Sequence, residues 1–265
     1  MSPTAEATAD ILNFRDAGLA TPSGRMQTGI LYRSSRLSGL HEGAAAALVA
    51  LGVTDVFDLR TTAEVERRPD RLPAGVTLTL ANVLADRPHG GAVAVGALAR
   101  SRMDRETITA INEAVGGGRA QALMLETYRD FAGLPSALQG FRHVLRGVAG
   151  AEGASIVHCT AGKDRSGWAV AVIQLACGVR TEDVLGDYLK SNESMSDAYG
   201  SLLERFAEAG GDARSLASIL YVDPDYLDAG LSALRSTFGD LDGYLATGLR
   251  LTSSDIDQLR DRLLA

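Results

Sequence analysis

The sequence predicts an α/β domain in which a central and mostly parallel sheet is flanked by helices. Three short runs rich in β-forming residues, at 54–60, 75–83 and 153–159, alternate with segments of helical apolar spacing, which is the order that parallel sheets require. The chain has 265 residues, of which 46% are hydrophobic, and this suits one large domain with a substantial core. Because no linker divides the chain, we expect residues 1–265 to form a single domain.

Helices are expected between these strands and along the chain from residue 181 onwards. Their ends carry the residues that helix termini favour. Glycine is common just after the last turn, an oxygen-bearing side chain just before the first turn, and proline within the first turn. Such residues occur at Gly52, Gly178, Asp223, Pro224, Thr252 and Asp255. These positions predict where four of the helices begin or end.

Residues 86–120 differ from the rest of the chain. They are rich in glycine, alanine and arginine, and their apolar residues show only weak periodicity. A segment of this length without clear structure is usually a functional loop, a lid or disorder. We predict a mobile insertion here, and the alternative is a surface insertion without a role.

Overall charge and hydropathy exclude two classes of partner. The net charge is −7 and the isoelectric point is near 5.2, so no basic surface is expected that could neutralise the phosphates of a nucleic acid. No apolar run approaches the roughly 20 residues of a membrane-spanning helix, which argues against integral membrane association. The start, MSPTAEATAD, lacks the cationic region and apolar core of a secretory signal. We predict a cytoplasmic protein, or one secreted without a recognisable signal peptide.

The stretch SIVHCTAGKDRSGW (155–168) places a cysteine and three charged residues between two segments that both look buried. We predict a strand, a loop and a helix in that order. The backbone N–H groups of such a loop, with the partial positive charge of the helix N-terminus, form a site for an anion such as phosphate. The residues predicted to bind phosphate are Thr160, Ala161, Gly162, Lys163, Asp164 and Arg165.

The spacing Cys-x5-Arg adds chemistry to this anion site. A helix N-terminus favours the thiolate form of a cysteine, so we expect Cys159 to be a nucleophile. Arg165 can direct two N–H groups at two phosphoryl oxygens and neutralise charge in the transition state. Ser166 is placed to donate a hydrogen bond to the thiolate as it leaves. His158 is expected to orient the cysteine through backbone contacts and not to act as a base.

Other interpretations of this loop fit less well. A nucleotide-binding Walker A loop is excluded, because Lys163 is followed by Asp164 and Val157 replaces the first glycine. A cysteine–histidine hydrolase needs a histidine near Cys159, and His158 points to the opposite face of the strand. No Cys/His spacing matches a zinc ligand set, and we expect neither a metal nor a cofactor. A buried inert cysteine would explain neither the glycine nor the three charges.

The segment HCTAGKDRSG resembles the His-Cys-x5-Arg-Ser/Thr-Gly signature of cysteine-dependent protein tyrosine phosphatases. Its Gly-Lys-Asp-Arg is similar to the atypical bacterial group typified by mycobacterial protein tyrosine phosphatase B. Four companion segments resemble that group in the same order, at 13–18, 31–40, 56–69 and 187–192. The resemblance implies a cysteine-dependent phosphatase fold with a helical lid, and hydrolysis of phosphate monoesters through a phosphocysteine at Cys159.

The first step of that reaction needs a general acid near the leaving oxygen. The resemblance implies Asp164, because the atypical group is proposed to use the aspartate inside its signature. Asp86 is the alternative acid, since it follows the second predicted strand, where a separate acid loop could begin. Its surroundings lack the Trp-Pro-Asp pattern of ordinary tyrosine phosphatases, which favours a solvated loop carboxylate instead.

Lys163 bears on the choice of substrate. It could be a solvated cation that only raises the local potential, but the resemblance implies a lysine that meets extra phosphates on the substrate. We therefore expect phosphoproteins and phosphoinositides as partners, with activity on phosphotyrosine, phosphoinositides, and phosphoserine or phosphothreonine. Two other functions stay open: a sulfurtransferase that carries sulfane sulfur on Cys159, and a phosphate-binding module without catalytic activity.

We place the predicted lid at about 195–235, in helices with an apolar face. The side chains expected to face the site are Tyr199, Leu202, Leu203 and Phe206. The alternative is that these helices simply pack on the main domain.

Two companion segments carry paired charges close to the expected strands. NFRD (13–16) and DLR (58–60) are more typical of residues that hold a fold together than of catalytic residues. Arg15, Asp16, Asp58 and Arg60 could form a buried charge network, and we assign them no catalytic role.

Overall fold

The computed structural model describes residues 7–87 and 104–265. Its strands are β1 Arg15–Asp16, β2 Ala20–Thr21, β3 Gly24–Arg25, β4 Leu31–Ser34, β5 Val53–Asp58, β6 Thr77–Leu80 and β7 Ala154–His158. Five of them form one sheet in the order β1-β4-β7-β5-β6. The strands β4, β7, β5 and β6 run parallel, and β1 pairs antiparallel with β4 at one edge. Strands β2 and β3 form a separate two-stranded hairpin. The predicted mostly parallel sheet is therefore confirmed.

Helices surround this sheet and occupy most of the second half of the chain. In order they are α1 Glu42–Ala50, α2 Thr62–Arg67, α3 Arg105–Val115, α4 Arg119–Gly133, α5 Pro135–Gly150, α6 Arg165–Ala176, α7 Thr181–Leu189, α8 Ser191–Glu208, α9 Ala213–Leu220, α10 Pro224–Phe238, α11 Leu241–Gly243 and α12 Ser253–Leu263, with a π-helical turn at Tyr244–Gly248. Among the described residues, no helix combines the length and the apolar character needed to cross a bilayer.

The expected helix ends are present. Gly52 and Gly178 adopt positive φ angles just after α1 and α6, a conformation that glycine adopts without steric cost. The Asp223 side chain accepts a hydrogen bond from the N–H of Asp225 at the start of α10. Thr252 and Asp255 form the predicted capping box of α12. Local helix-terminus chemistry therefore sets these boundaries as the sequence predicts.

Strand β4 is a buried strand of the sheet that the sequence did not predict. All four of its residues are buried, and it pairs in parallel with β7 in the middle of the sheet. Its sequence is LYRS, in which Arg33 and Ser34 are polar, so it shows neither an apolar run nor a regular alternation. A buried arginine in a central strand requires partners that only the folded structure supplies, and these partners lie at the site described below.

The core is centred on β7 and on α6, which directly follows the cysteine loop. Every residue of β7 is buried, and so is every residue of α6 except Leu175. A helix that is buried on all sides lies inside the molecule and not on its surface. Helix α10 covers Trp168 of α6 so closely that a Cβ on Gly230 would lie 2.5 Å from the indole ring. The helix that begins at the cysteine loop is thus fixed by packing from several sides.

The predicted irregular segment 86–120 differs from the structure in its second half. Helix α3 occupies Arg105–Val115, and its N-cap Asp104 accepts a hydrogen bond from the N–H of Thr107. Ile108, Ile111 and Val115 are spaced three and four residues apart and are buried on one face. The surrounding glycine, alanine and arginine residues masked this short periodicity. Residues 88–103 lie outside the described part of the chain, and the mobility of the insertion stays a prediction.

The C-terminal end of α12 contacts the β2–β3 hairpin. The N–H of Gln27 donates to the carbonyl of Leu263 at 2.7 Å, and the N–H of Ala265 donates to the carbonyl of Arg25 at 3.1 Å. A bridge between Met26 and Leu264 lies between these two bonds. Segments from the two ends of the described chain are thereby joined by backbone hydrogen bonds.

Candidate active site

The cysteine loop runs from the end of β7 to the start of α6, at the carboxyl edge of the parallel strands. Ligands of open α/β sheets commonly bind at this edge. Cys159 follows β7 directly, and its residue surface is only 2% exposed. Gly162 has a φ of +71°, and a Cβ there would collide with the backbone of Ser34 in β4. The glycine of the motif is thus required both by its backbone conformation and by the close approach of β4.

Two side chains hold the loop from behind. The Asn13 side-chain amide donates to the carbonyl of Gly162 at 2.8 Å, and Arg33 donates to the carbonyls of Gly162 at 2.8 Å and Lys163 at 3.1 Å. The N–H of a trans peptide points away from its own carbonyl. The N–H groups of Lys163 and Asp164 are therefore directed away from Asn13 and Arg33, where they can donate to an anion.

Arg33 belongs to a polar network that joins three of the four companion segments. Asp187 accepts from Arg15 at 3.1 Å and lies 3.5 Å from Arg33, and Arg15 also donates to the Ser191 hydroxyl at 3.2 Å. Asn13 donates to the same hydroxyl at 3.4 Å. Burial lowers the pKa of Arg33 to about 10, so the guanidinium stays charged at neutral pH. This network fixes the shape of the loop.

A second buried network lies beside His158. Arg60 donates to Asp58 at 2.7 Å and to Asp70 at 2.8 Å, and the Nε2 atom of His158 lies 3.0 Å from Asp70. The Nδ1 atom of His158 lies 3.3 Å from the carbonyl of Cys159, so the ring contacts the backbone as predicted for an orienting residue. The expected single charge network is wrong in one respect: Arg15 pairs with Asp187, separately from Asp58 and Arg60.

The same cluster has the donor atoms of a metal site. Ligand atoms of Asp58, Asp70 and His158 lie within 4.8 Å of one another. The guanidinium of Arg60, however, already contacts both carboxylates and supplies the positive charge between them. A cation would have to displace Arg60, which is fully buried, so we assign these residues a structural role.

Arg165 is held by Glu64, a residue that the sequence analysis did not single out. Its two terminal nitrogens donate to the two carboxylate oxygens of Glu64 at 2.7 and 2.9 Å. Thr160 also donates to this carboxylate. Burial alone would raise the pKa of Glu64, but the charge and hydrogen bonds of Arg165 hold it well below its usual range. The bidentate pair fixes the plane of the guanidinium, which decides how it meets a phosphoryl group.

One sequence signal could have indicated Glu64. Thr61 and Glu64 form a capping box at the start of α2, in which each side chain accepts from the other residue's backbone. The Thr-x-x-Glu spacing predicts this capping box, which places the carboxylate in the first turn of α2. It cannot predict that Arg165, which is 101 residues further along the chain, lies against that carboxylate.

Asp164 and Lys163 contact each other directly. The Lys163 ammonium lies 2.9 Å from each carboxylate oxygen of Asp164 and donates to the carbonyl of Tyr221 at 3.3 Å. Its side chain is only 5% exposed, so Lys163 is not the solvated loop cation of the alternative interpretation. The hydroxyl of Tyr128 donates to Asp164 at 3.1 Å. The Asp164 side chain is 22% exposed, and is therefore accessible from the cleft.

A cleft of about 590 Å³, measured to its opening, lies over the loop. Its walls are largely apolar and its floor carries the polar residues of the motif. The lining residues are Glu64, Leu84, Met124, Thr127, Phe131, Cys159, Thr160, Ala161, Lys163, Asp164, Arg165, Tyr199, Ile219 and Leu220. Six of the predicted site residues therefore share one cleft, while Gly162 supports the loop from outside it.

Three further predicted residues, His158, Ser166 and Asp86, lie outside the lining. Ser166 is buried at the start of α6, and its hydroxyl has no hydrogen-bond partner within residues 7–87 and 104–265. A free buried hydroxyl beside the loop is compatible with donation to a leaving thiolate. Asp86 is exposed and instead accepts from the N–H of Ser136 at the start of α5. The contacts of Asp86 are those of a helix cap and not of a residue that reaches the cleft.

The predicted lid helices contribute to the cleft only in part. Tyr199 of α8 lines it, together with Ile219 and Leu220 of α9. Leu202 and Phe206 are instead buried in the main core, with residue exposures of 7% and 0%. Helices α8 and α9 thus cover the cleft and pack on the main domain at the same time. Whether they open as a lid stays a prediction.

Fold and site together have the form of a phosphatase: a loop with a buried cysteine and an arginine held by Glu64 lies at the carboxyl edge of the sheet, under a largely apolar cleft. The chain belongs to the tyrosine phosphatase family, whose model matches residues 7–265. It is accordingly a protein tyrosine phosphatase and a hydrolase of phosphate esters. The family resemblance seen in the signature is confirmed along almost the whole described chain.

Individual relatives agree with this assignment. The chain is 30% identical to the triple specificity protein phosphatase PtpB of Mycobacterium tuberculosis, over 95% of this chain and 96% of that protein. It is 32% identical to a protein of Cupriavidus necator whose name places it among tyrosine-protein phosphatases, over 96% of this chain and 86% of the relative. A tyrosine-protein phosphatase of Nostoc commune is 27% identical over 87% of this chain and 73% of its own length.

Proposed function

We propose that the enzyme hydrolyses phosphate monoesters through a phosphocysteine formed on Cys159. The observation that supports this most directly is the position of Cys159 on the cleft floor beside Arg165, whose guanidinium is locked by Glu64. The Sγ atom attacks phosphorus, and the bond from phosphorus to the leaving oxygen breaks. Arg165 and the loop N–H groups bind the phosphoryl oxygens and stabilise their charge in the transition state.

Asp164 acts as the general acid in the first step. It lines the cleft, whereas the alternative acid Asp86 caps α5. Asp164 gives its proton to the leaving oxygen and is then a carboxylate that can take a proton from water in the second step. That water attacks phosphorus and breaks the bond between phosphorus and sulfur. The thiolate of Cys159 leaves, and the Ser166 hydroxyl donates to it.

The substrates we propose are phosphotyrosine proteins, with additional activity on phosphoserine or phosphothreonine and on phosphoinositides. The apolar walls formed by Leu84, Met124 and Phe131 suit the ring of a phosphotyrosine that reaches the buried Cys159. Lys163 lines the same cleft and can meet a second phosphate. A relative that covers nearly the whole chain is named for triple specificity, which supports a broad substrate range.

The test of the reaction is hydrolysis of a phosphotyrosine peptide by the wild type, Cys159→Ser and Asp164→Ala, with chelator present to suppress contaminating metal-dependent phosphatases. We expect Cys159→Ser to abolish turnover, and Asp164→Ala to reduce it by about 10²–10⁴-fold, the usual contribution of a general acid. Full turnover in Cys159→Ser would contradict the phosphocysteine. Detection of one extra sulfur atom on Cys159 by mass spectrometry, without phosphatase activity, would favour a sulfurtransferase.

The lipid specificity has its own test. Lys163→Ala should lower turnover of phosphatidylinositol monophosphate more than turnover of the phosphotyrosine peptide, because only the lipid headgroup carries a second phosphate. Both activities will fall somewhat, because Lys163 also contacts Asp164. The quantity to measure is therefore the ratio of lipid turnover to phosphotyrosine peptide turnover. Lys190 is the other lysine of the chain and is exposed, so Lys190→Ala is the matched control. An unchanged ratio in Lys163→Ala would refute this role.

A further inference from the structure

Two buried tyrosines form a chain of hydroxyl groups that ends on Asp164. The hydroxyl of Tyr188 in α7 donates to the hydroxyl of Tyr128 in α4 at 2.7 Å, and Tyr128 donates to Oδ1 of Asp164 at 3.1 Å. Both tyrosines are almost inaccessible to solvent, with exposures of 1% and 0%. Neither lines the cleft, so they reach the acid from its protein side.

The direction of this chain follows from the chemistry of its last member. An ionised carboxylate only accepts hydrogen bonds, so Tyr128 must donate to it, and the oxygen of Tyr128 is then free to accept from Tyr188. Burial and the nearby charge of Asp164 raise the pKa of both tyrosines well above the usual value. Both hydroxyls therefore keep their protons at physiological pH and continue to donate in the same direction.

The two oxygens of Asp164 have different surroundings. Oδ1 accepts from Tyr128 and lies 2.9 Å from the Lys163 ammonium, whereas Oδ2 contacts Lys163 alone among the described residues, also at 2.9 Å. A carboxylic acid that keeps accepting a hydrogen bond on one oxygen carries its proton on the other. A fixed donor on Oδ1 thus decides both the rotation of the carboxyl group and the oxygen that holds the proton.

We propose that Tyr128 is a positioning residue for the general acid: its hydroxyl anchors Oδ1 of Asp164, so that Oδ2 carries the proton given to the leaving oxygen. Tyr188 holds the Tyr128 hydroxyl in the direction of Asp164. This inference rests on the proposed function, because it assigns a partner to the acid of that reaction. No covalent step is added, and Tyr128 transfers no proton to the substrate.

The packing of the two rings is separable from their hydroxyl groups. Tyr128 lies in an aromatic cluster, with ring centroids 5.1 Å from Phe131, 6.1 Å from Tyr188 and 5.8 Å from Tyr226. Phenylalanine at 128 or 188 fills nearly the same volume and removes only the hydroxyl. Tyr226 supplies the matched control, because its hydroxyl donates to the carbonyl of Ser218 and not to Asp164.

The experiment compares leaving groups. Phenyl phosphate needs a proton on its leaving oxygen, whereas 4-nitrophenyl phosphate releases a stable phenolate without one. In Tyr128→Phe we expect kcat/KM, which reports the first chemical step only, to fall by about 10-fold or more for phenyl phosphate, a part of the 10²–10⁴-fold that a general acid supplies, and to change by less than about 3-fold for 4-nitrophenyl phosphate. Tyr188→Phe should show the same pattern more weakly, and Tyr226→Phe should match the wild type on both substrates.

The outcomes separate this inference from the proposed function. Equal losses on the two substrates in Tyr128→Phe would mean that the hydroxyl only stabilises the fold, and no loss would mean that Asp164 is positioned without it; either result overturns the inference. If Tyr128→Phe does not fold, Tyr188→Phe decides by the same criterion. Failure of the proposed function would be seen instead in Cys159→Ser retaining activity. If an Asp164→Asn variant depended on the leaving group as the wild type does, the role of Asp164 as the acid and the role of Tyr128 in positioning it would both be contradicted.

Discussion

Glu64 accepts the two shortest hydrogen bonds of the Arg165 side chain, at 2.7 and 2.9 Å, whereas its other acceptors lie at 3.5 Å. The guanidinium could otherwise rotate about its long side chain, and the two hydrogen bonds that it donates to Glu64 remove that freedom before any substrate binds. Pre-organisation of this kind stabilises transition-state charge most strongly in a buried site, because water screens charges only weakly there. The side-chain exposures of 6% for Arg165 and 12% for Glu64 place the pair in such a site.

Glu64→Gln tests this dependence. The variant leaves Arg165 buried without its counter-charge and loosens the guanidinium, so we expect kcat/KM for a phosphotyrosine peptide to fall by about 100-fold, the usual effect of a small misplacement. Glu66→Gln, on the exposed part of the same helix, should behave as the wild type. Steady-state kinetics on both variants checks this, and full activity in Glu64→Gln would show that Arg165 is fixed by other means.

At the scale of elements, the cysteine loop owes its shape to β4 as much as to its own sequence. The carbonyl groups of Gly162 and Lys163 are held by Arg33 of β4, and the backbone of Ser34 leaves room only for a glycine. A loop held in this way keeps its N–H groups directed at one place without a bound anion. The strand and the loop therefore form one functional element.

Gly162→Ala should disrupt that element. The substitution forces a left-handed backbone on alanine and drives its Cβ into Ser34, and the two effects together should lower the free energy of unfolding by about 2–5 kcal/mol. Urea unfolding followed by circular dichroism measures this. Gly39→Ala is the matched loop control, because a Cβ there meets no atom within 4 Å. Equal stability of the two variants would refute the argument.

The sequence predicted the cysteine loop and its flanking strand and helix more completely than the residues that support them. Cys159 and Arg165 are separated by five residues within one local motif, so their proximity follows from the strand, loop and helix alone. Glu64 and Arg33 reach the same site from distant parts of the chain, through sheet order and helix packing. Strand β4 was missed for the related reason that its polar residues are buried by tertiary partners. Local patterns carry no information about such contacts.

At the scale of the whole molecule, close packing of α10 on α6 joins the C-terminal helices to the core that carries the site. The contact is made where Gly230 faces Trp168, which is fully buried. Interiors packed at this density respond to the addition of one methyl group. The stability of the C-terminal helices and of the helix that follows the cysteine loop should therefore change together.

Two helix glycines test this coupling. In Gly230→Ala the new methyl group meets the Trp168 ring, so the free energy of unfolding should fall by about 1–3 kcal/mol. In Gly200→Ala of α8, no atom lies within 4 Å of the new Cβ. The better helix propensity of alanine should therefore raise the free energy of unfolding by about 0.5–1 kcal/mol. Urea denaturation of both variants gives the comparison. A Gly230→Ala variant as stable as Gly200→Ala would contradict the close packing.

The network behind the cysteine loop has a consequence for the way the enzyme is made. Asn13 and Ser191, which meet there, are 178 residues apart in the chain. A ribosome delivers the cysteine and arginine of the motif before it delivers Asp187 and Ser191, and before Tyr221, whose carbonyl accepts from Lys163 of the loop. Until those residues leave the exit tunnel, the nascent chain carries Cys159 as an ordinary thiol, in a loop without its supporting side chains. Catalytic competence should accordingly arise late in synthesis, so that incomplete chains dephosphorylate nothing.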